Sequence, residues 1–338
     1  MADMSRTDRT DRPDSTGLSD RTDRPTRTDR AQLILVGGVV VAFALVALVL
    51  LLNTALFAEN VATRGLGPGP DRAAEHAAFA DRAAGRVLRQ EERVEYVSWA
   101  DAEANATDGL RRIGAAVRTR EFSEHGAVAT MEPDAVRPGV ALVQNDTGGF
   151  RSAGGTANWT LADSTGGIRN YTMTVDADGT SSPANATDAF TVRIEGDSAV
   201  WEAYVYASGS GTVIVNVTGE TCESDSSVAT VDWTRGTLDG CTFPFATDGS
   251  GRALSGPYDV AYLNGDEAEG TYHLVVRNRT TDDVETQHFG DPGTATLPRR
   301  YHTVYAVRLA VGYEGSSVDY DTHVRAAPGE PENTSPAS

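Results

Sequence analysis

The sequence predicts an α+β protein: an N-terminal transmembrane helix and a helical stalk, followed by an antiparallel, β-rich, sandwich-like extracellular domain. Three observations predict it. Leu33 to Leu52 is an uncharged apolar run of bilayer-spanning length. Residues 71–120 are rich in Ala and carry apolar side chains at helical spacing. From residue 135 onward, short β-branched and aromatic runs alternate with period two between clusters of Gly, Asp, Asn and Ser.

Residues 1–30 form a Thr-Asp-Arg-rich arm with seven Arg and seven Asp. So few apolar groups cannot offset the entropy of ordering, so a disordered cytoplasmic arm or leader is expected. Residues 31–58 carry no charge, and a membrane span or pilin-type helix is expected there. "LGPGPD" from Leu66 to Asp71 then breaks any helix. In the stalk expected over 71–120, Ala73, Ala77, Ala80, Ala84 and Val87 make one thin apolar stripe. Asp71, Arg72, Glu75, Asp81 and Arg82 lie mostly off it, and a second helical piece is expected from Asp108 to about Arg120. A stripe this thin suits close packing against a neighbour. The β-rich domain is expected over 135–326. Its clearest strand is Tyr301, Thr303, Tyr305, Val307, Leu309, Val311 and Tyr313. Residues 327–338 read as a loose tail.

The net charge is −19, and all 29 basic residues are Arg. This acidic, Lys-free composition resembles that of proteins from extreme halophiles, whose surface carboxylates stay hydrated while salt screens their repulsion. It argues against a nucleic-acid partner, since little here would neutralise phosphates. The two cysteines, Cys222 and Cys241, are too few and too far apart for a zinc site, and an extracytoplasmic domain would pair them.

Asn-X-Ser/Thr occurs at Asn105, Asn145, Asn158, Asn170, Asn185, Asn216, Asn278 and Asn333. Chance predicts about two such sequons in a chain with this few Asn. All eight follow the apolar run, which places the large domain on the outer, glycosylated side of a cell membrane crossed once. Asn170 alternates with Tyr171, Met173 and Val175, and Asn216 with Val213, Val215 and Val217, so both are expected to face solvent. Arg24, Arg27 and Arg30 before the run give weak support for an inner N-terminus.

Arg30-Ala31 precedes Gln32, and the apolar run begins at once. This resembles the class III signal of archaeal type IV prepilins and archaellins. The resemblance implies cleavage between Ala31 and Gln32 by a prepilin peptidase, after which the apolar helix is retained and can pack with other pilin-like subunits. Val36 stands where many pilins carry a Glu. The flank "NTALFAENVATRG" also resembles a block in small haloarchaeal membrane proteins of unknown function, which pair a pilin-like helix with a variable outer domain.

Catalytic chemistry has no sequence support. The six His are scattered, and no H-E-x-x-H, P-loop or G-x-S-x-G pattern occurs. "DADG" at 176–179 reads as a turn, since its Gly falls at the wrong place for a calcium loop. No cofactor, metal site or catalytic residue is expected. The expectation is a non-enzymatic, pilin-like surface protein, anchored in the lipid bilayer or packed into a filament. Its alternative is a single-pass envelope protein that binds a partner or polysaccharide without polymerising.

Overall fold

Alternation along Tyr301–Tyr313 and the shorter upstream runs commits these segments to pleated strands with an apolar face. The computed structural model of the chain describes residues 70–277 and 286–331, together with Leu45. Two helices come first, α1 (Pro70–Glu91) and α2 (Trp99–His125). The strands follow: β1 (Val128–Gly149), β2 (Trp159–Thr165), β3 (Ile168–Asp176), β4 (Phe190–Glu195), β5 (Val200–Ala207), β6 (Val213–Val217) and β7 (Glu220–Glu223). Then come β8 (Val228–Asp232), β9 (Thr237–Leu238), β10 (Cys241–Thr242), β11 (Tyr258–Leu263), β12 (Glu269–Val276), β13 (Arg299–Glu314) and β14 (Asp319–Ala326). The ladders between these strands are antiparallel and make two sheets, ordered β10-β9-β8-β3-β12-β1-β13-β14 and β2-β11-β4-β5-β6-β7.

Inward-facing side chains of both sheets share one apolar core. Its centre is aromatic. Trp201 meets Trp233 edge to face at 5.8 Å, and Phe150 stacks on Phe190 at 4.7 Å. Tyr171 and Tyr262 lie fully buried, and the Tyr171 hydroxyl donates to that of Tyr262 at 2.9 Å. Burial raises the pKa of both phenols, so they stay neutral donors.

The expected α+β architecture, with a transmembrane helix and a projecting stalk, is corrected here. Strand is the predominant regular structure among the described residues, and the two helices belong to the β domain as a cover over the eight-stranded sheet. Among the described residues, no helix is long and apolar enough to cross a membrane. The 31–58 segment, the 1–30 arm and the Ala31–Gln32 junction lie outside the described residues, as do Asn278 and Asn333. Nor is the Ala stripe of α1 free for another molecule. Ala80, Ala84 and Leu88 are fully buried against a cluster that includes Leu110 of α2, Met131 of β1, and Val307, Leu309 and Val311 of β13.

The physical reason lies in the sheet. The outer face of β13 is apolar, and a sheet face of that kind must be covered. Small side chains let the cover sit close. At Gly114 of α2 a Cβ would stand only 2.4 Å from the Met131 carbonyl oxygen of β1, so helix and strand are in backbone contact there. Helix α2 starts earlier and ends later than Asp108–Arg120. The Ser98 hydroxyl caps it by accepting from the Asp101 amide at 3.2 Å, and Gly126, at φ 64°, closes it in the left-handed conformation.

Cys222 and Cys241 form a disulfide with their Cα atoms 5.7 Å apart. Cys222 lies on β7, one edge of the six-stranded sheet, and Cys241 on β10, one edge of the other. The bond therefore staples the two sheets along one side of the core. Changing both cysteines to Ser should lower unfolding stability by about 3 kcal/mol, the loop-closure value for a bridge of this span. Urea denaturation with and without reductant measures it, and the reductant should affect only the parent protein.

Candidate functional site

The most concentrated buried polar chemistry lies where α1 ends, on the outer side of the eight-stranded sheet. It begins with an irregularity in β3. Strand β12 pairs His273 with Thr172 and Val275 with Arg169, so Asn170 and Tyr171 together oppose Leu274. Asn170 sits in this bulge at φ 53°, a left-handed conformation that Asn tolerates better than most residues. The bulge breaks side-chain parity. Tyr171 points into the sandwich core, while Arg169 joins the outer side with no exposed surface.

Every branch of the Arg169 guanidinium except Nε has a partner among the described residues. Nη1 donates to Glu92 Oε1 and to the Pro328 carbonyl at 3.1 Å, and Nη2 donates to the Val304 carbonyl at 2.7 Å. The cation also lies over the Tyr305 ring, 5.6 Å from its centroid. Glu92, itself buried, accepts on its other oxygen from Asn170 Nδ2 at 2.5 Å, and its backbone carbonyl accepts from the Tyr301 hydroxyl at 2.9 Å. One ion pair thus ties the residue after α1, strands β3 and β13, and the C-terminal segment at Pro328 together. Apart from Arg169 Nε, these groups satisfy one another, and the arrangement works as a clasp.

His273 borders the clasp and faces the Asn170 carbonyl at 3.2 Å. Burial pushes its pKa below the ordinary 6.5. Arg169 acts in the same direction and Glu92 against it. The unfolded chain therefore takes up a proton that the folded chain resists. The His273 contribution to stability is complete above about 6.5 and is lost as pH falls below it. Stability of the parent protein should drop as pH falls below about 6.5, and His273→Gln should flatten that slope.

The sequon asparagines divide by environment. Asn105, Asn145, Asn158 and Asn185 are exposed, and Asn216 is half-exposed on β6, on the face opposite the buried Val213, Val215 and Val217. Asn170 departs from the expectation drawn from strand parity. It is half-buried, with its amide nitrogen held by Glu92, because the bulge interrupts the alternation on which that expectation rested. The "DADG" segment forms a single 3-10 turn over Ala177–Gly179, and the Asp176 carboxylate accepts from the Asp178 amide. Tyr301, Tyr305 and Tyr313 are buried in sheet packing. Among the described residues, no group of three or more His, Cys, Asp or Glu is placed to hold a metal ion.

Sequence reasoning missed the clasp. Arg169 looks like any strand charge, and its partner Glu92 lies 77 positions away. It also missed a groove beside α1. That groove is lined by Arg82, Arg86 and Arg89 on the helix and by Arg325 to Pro328 opposite, around a cavity of about 470 Å³.

Comparison with known proteins adds one match. Residues 27–143 match a family of unknown function, DUF7261. The match covers about a third of the chain. It takes in the apolar run, both helices and β1 as far as Val143, so most of the sandwich lies beyond it. No curated protein and no solved structure matches the chain.

Proposed function

We propose that this chain is a non-enzymatic cell-surface protein, tethered at a lipid bilayer by the apolar segment at 31–58, with its disulfide-stapled β domain displayed outside. The observation that carries the reading is the Cys222–Cys241 bond between the two sheets. Such a bond persists in an oxidising compartment and is rare in a reducing cytosol. The exposed sequon asparagines Asn105, Asn145, Asn158 and Asn185 support it, because a transferase can reach them on the folded surface. The acidic, Lys-free composition suits a surface facing concentrated salt.

A second reading, in which processed subunits pack into a type IV pilus-like filament, is favoured by the Arg30-Ala31-Gln32 junction directly before the apolar run. The Ala stripe of α1 lends it no support, because that stripe is consumed within the domain.

Intact-mass analysis of protein from native membranes tests the first reading. A mass above that of the bare polypeptide, with sugar on Asn145, Asn158 or Asn185, is expected. A bare mass would count against outward display. N-terminal sequencing tests the second reading: a mature chain starting at Gln32 supports peptidase processing, and an intact arm removes it.

A further inference from the structure

The groove between α1 and the end of β14 differs in charge from the rest of the chain. Arg82, Arg86 and Arg89 fall at i, i+4 and i+7, so they line one face of α1 over about 10 Å. All three are exposed, and no ion pair engages them among the described residues. Among the described residues, Asp81 is the one acidic side chain in the lining. The fourth arginine, Arg325, is already spent in a bidentate pair with Glu330, at 2.6 and 2.7 Å. Three free guanidiniums thus stand together on a chain of net charge −19. The favourable placement of a cation at a helix C-terminus explains Arg89, in the last turn, but neither of the other two.

The groove also has a shaped floor. Gly85 lies buried in the middle of α1, where Gly costs about 1 kcal/mol relative to Ala. Its missing side chain is what the neighbours use. A Cβ there would sit 3.4 Å from Arg89 Nη1 and 3.9 Å from Pro328 Cβ, so the Arg89 guanidinium folds back across the bare backbone, and Pro328 approaches the same point. The opposite wall is apolar along Ala326, Ala327 and Pro328. The cavity, about 470 Å³, is of the size that holds a small organic ligand.

We infer that this groove binds an acidic saccharide, with carboxylate or sulfate groups engaging Arg82, Arg86 and Arg89 and a sugar ring lying on the Ala326–Pro328 wall. Guanidinium forks match such oxyanions in bidentate geometry. A row of three calls for a ligand with repeated anionic groups, more than one phosphate can supply. Among the described residues no aromatic side chain lines the groove, so it offers no stacking platform for nucleic-acid bases. Contact at hydrogen-bond distance rather than a long-range field lets binding persist in strong salt, where the Debye length is only about 3 Å at 1 M. The inference deepens the surface reading by naming a ligand class. It rests on that reading only for where the ligand is met, so binding by the purified chain and the topology of the protein in cells fail separately.

The test is titration calorimetry on the full-length, detergent-solubilised protein with tetragalacturonate. Neutral galactotetraose, inorganic phosphate and phosphatidylglycerol vesicles serve as comparison probes. Saturable binding of tetragalacturonate and none of galactotetraose is expected. Arg82→Ser and Arg86→Ser should each weaken it by about tenfold, the worth of a charge-assisted hydrogen bond. Gly85→Leu should weaken it with no change of charge, and Arg111→Ser on α2, outside the groove, should leave it unaltered. Exposed arginines can be replaced without unfolding the domain, and an unchanged thermal melt verifies this for each variant. Absence of saturable binding to tetragalacturonate overturns the inference. So does binding that survives the Arg82→Ser/Arg86→Ser double change, or binding to phosphate or the vesicles that is as tight.

Discussion

Replacing Arg169 by alanine should destabilise the domain by about 3–5 kcal/mol, the range for removing one partner of a buried ion pair. The side chain has no exposed surface, and its loss leaves the Glu92 carboxylate buried with only Asn170 to hold it. The Val304 and Pro328 carbonyls lose their donors as well. Arg169→Lys should recover little, because one ammonium cannot reach carboxylate, both carbonyls and the Tyr305 face from a single stem. Coupling is the sharper signature. The loss for Arg169→Met with Glu92→Leu should fall well short of the sum of the two single losses, since each single change strands the other charge. Denaturant titration of the four proteins measures this. A loss for Arg169→Ala within about 1 kcal/mol would mean that the clasp is solvated, as in an exposed pair.

Trp201→Ala should cost a similar amount, about 3–5 kcal/mol, through a different term. Trp201 on β5 is 1% exposed and sits edge to face against Trp233 and against Phe245 at 5.3 Å. Its indole donates to the Pro244 carbonyl at 3.1 Å. Alanine would leave a cavity in the close-packed interior between the sheets and orphan that carbonyl. Trp201→Phe keeps the ring contact but not the donor, and should lose less. Near-UV circular dichroism should report the loss of the Trp201–Trp233 contact even where the fold survives. Unchanged stability in Trp201→Ala would mean that this part of the sandwich is not a packed core.

Strand parity was legible wherever the ladder is regular. The alternations at Val213–Val217 and Trp201–Val205 lie with their apolar sides in the core. The cysteine pair was legible because two cysteines allow a single intramolecular bridge, although nothing in their spacing shows that it joins sheet to sheet. Parity fails at Asn170 for a local reason: one residue at positive φ turns the strand, and alternation counted from Tyr171 cannot be carried back to Arg169. The helices show the other limit. Spacing located the apolar stripe of α1, but what it packs on is β13, more than two hundred positions downstream, and helical periodicity carries no information about its partner. The arginine face of α1 was readable in the same sense. Its opposite wall at Ala326–Pro328 comes from the far end of the chain, so the groove exists only once both are brought together.

The central claim, outward display, is tested most directly by reaching for the domain in intact cells. Asn185 is exposed in the turn before β4, and Asn185→Cys adds one accessible thiol to a protein whose own cysteines are bonded to each other. Intact cells carrying this variant are treated with a membrane-impermeant maleimide, and the protein is then purified and probed for label. The account predicts full labelling before lysis and no label on the parent protein. Labelling that appears only after the cells are lysed would place the domain inside and contradict the account.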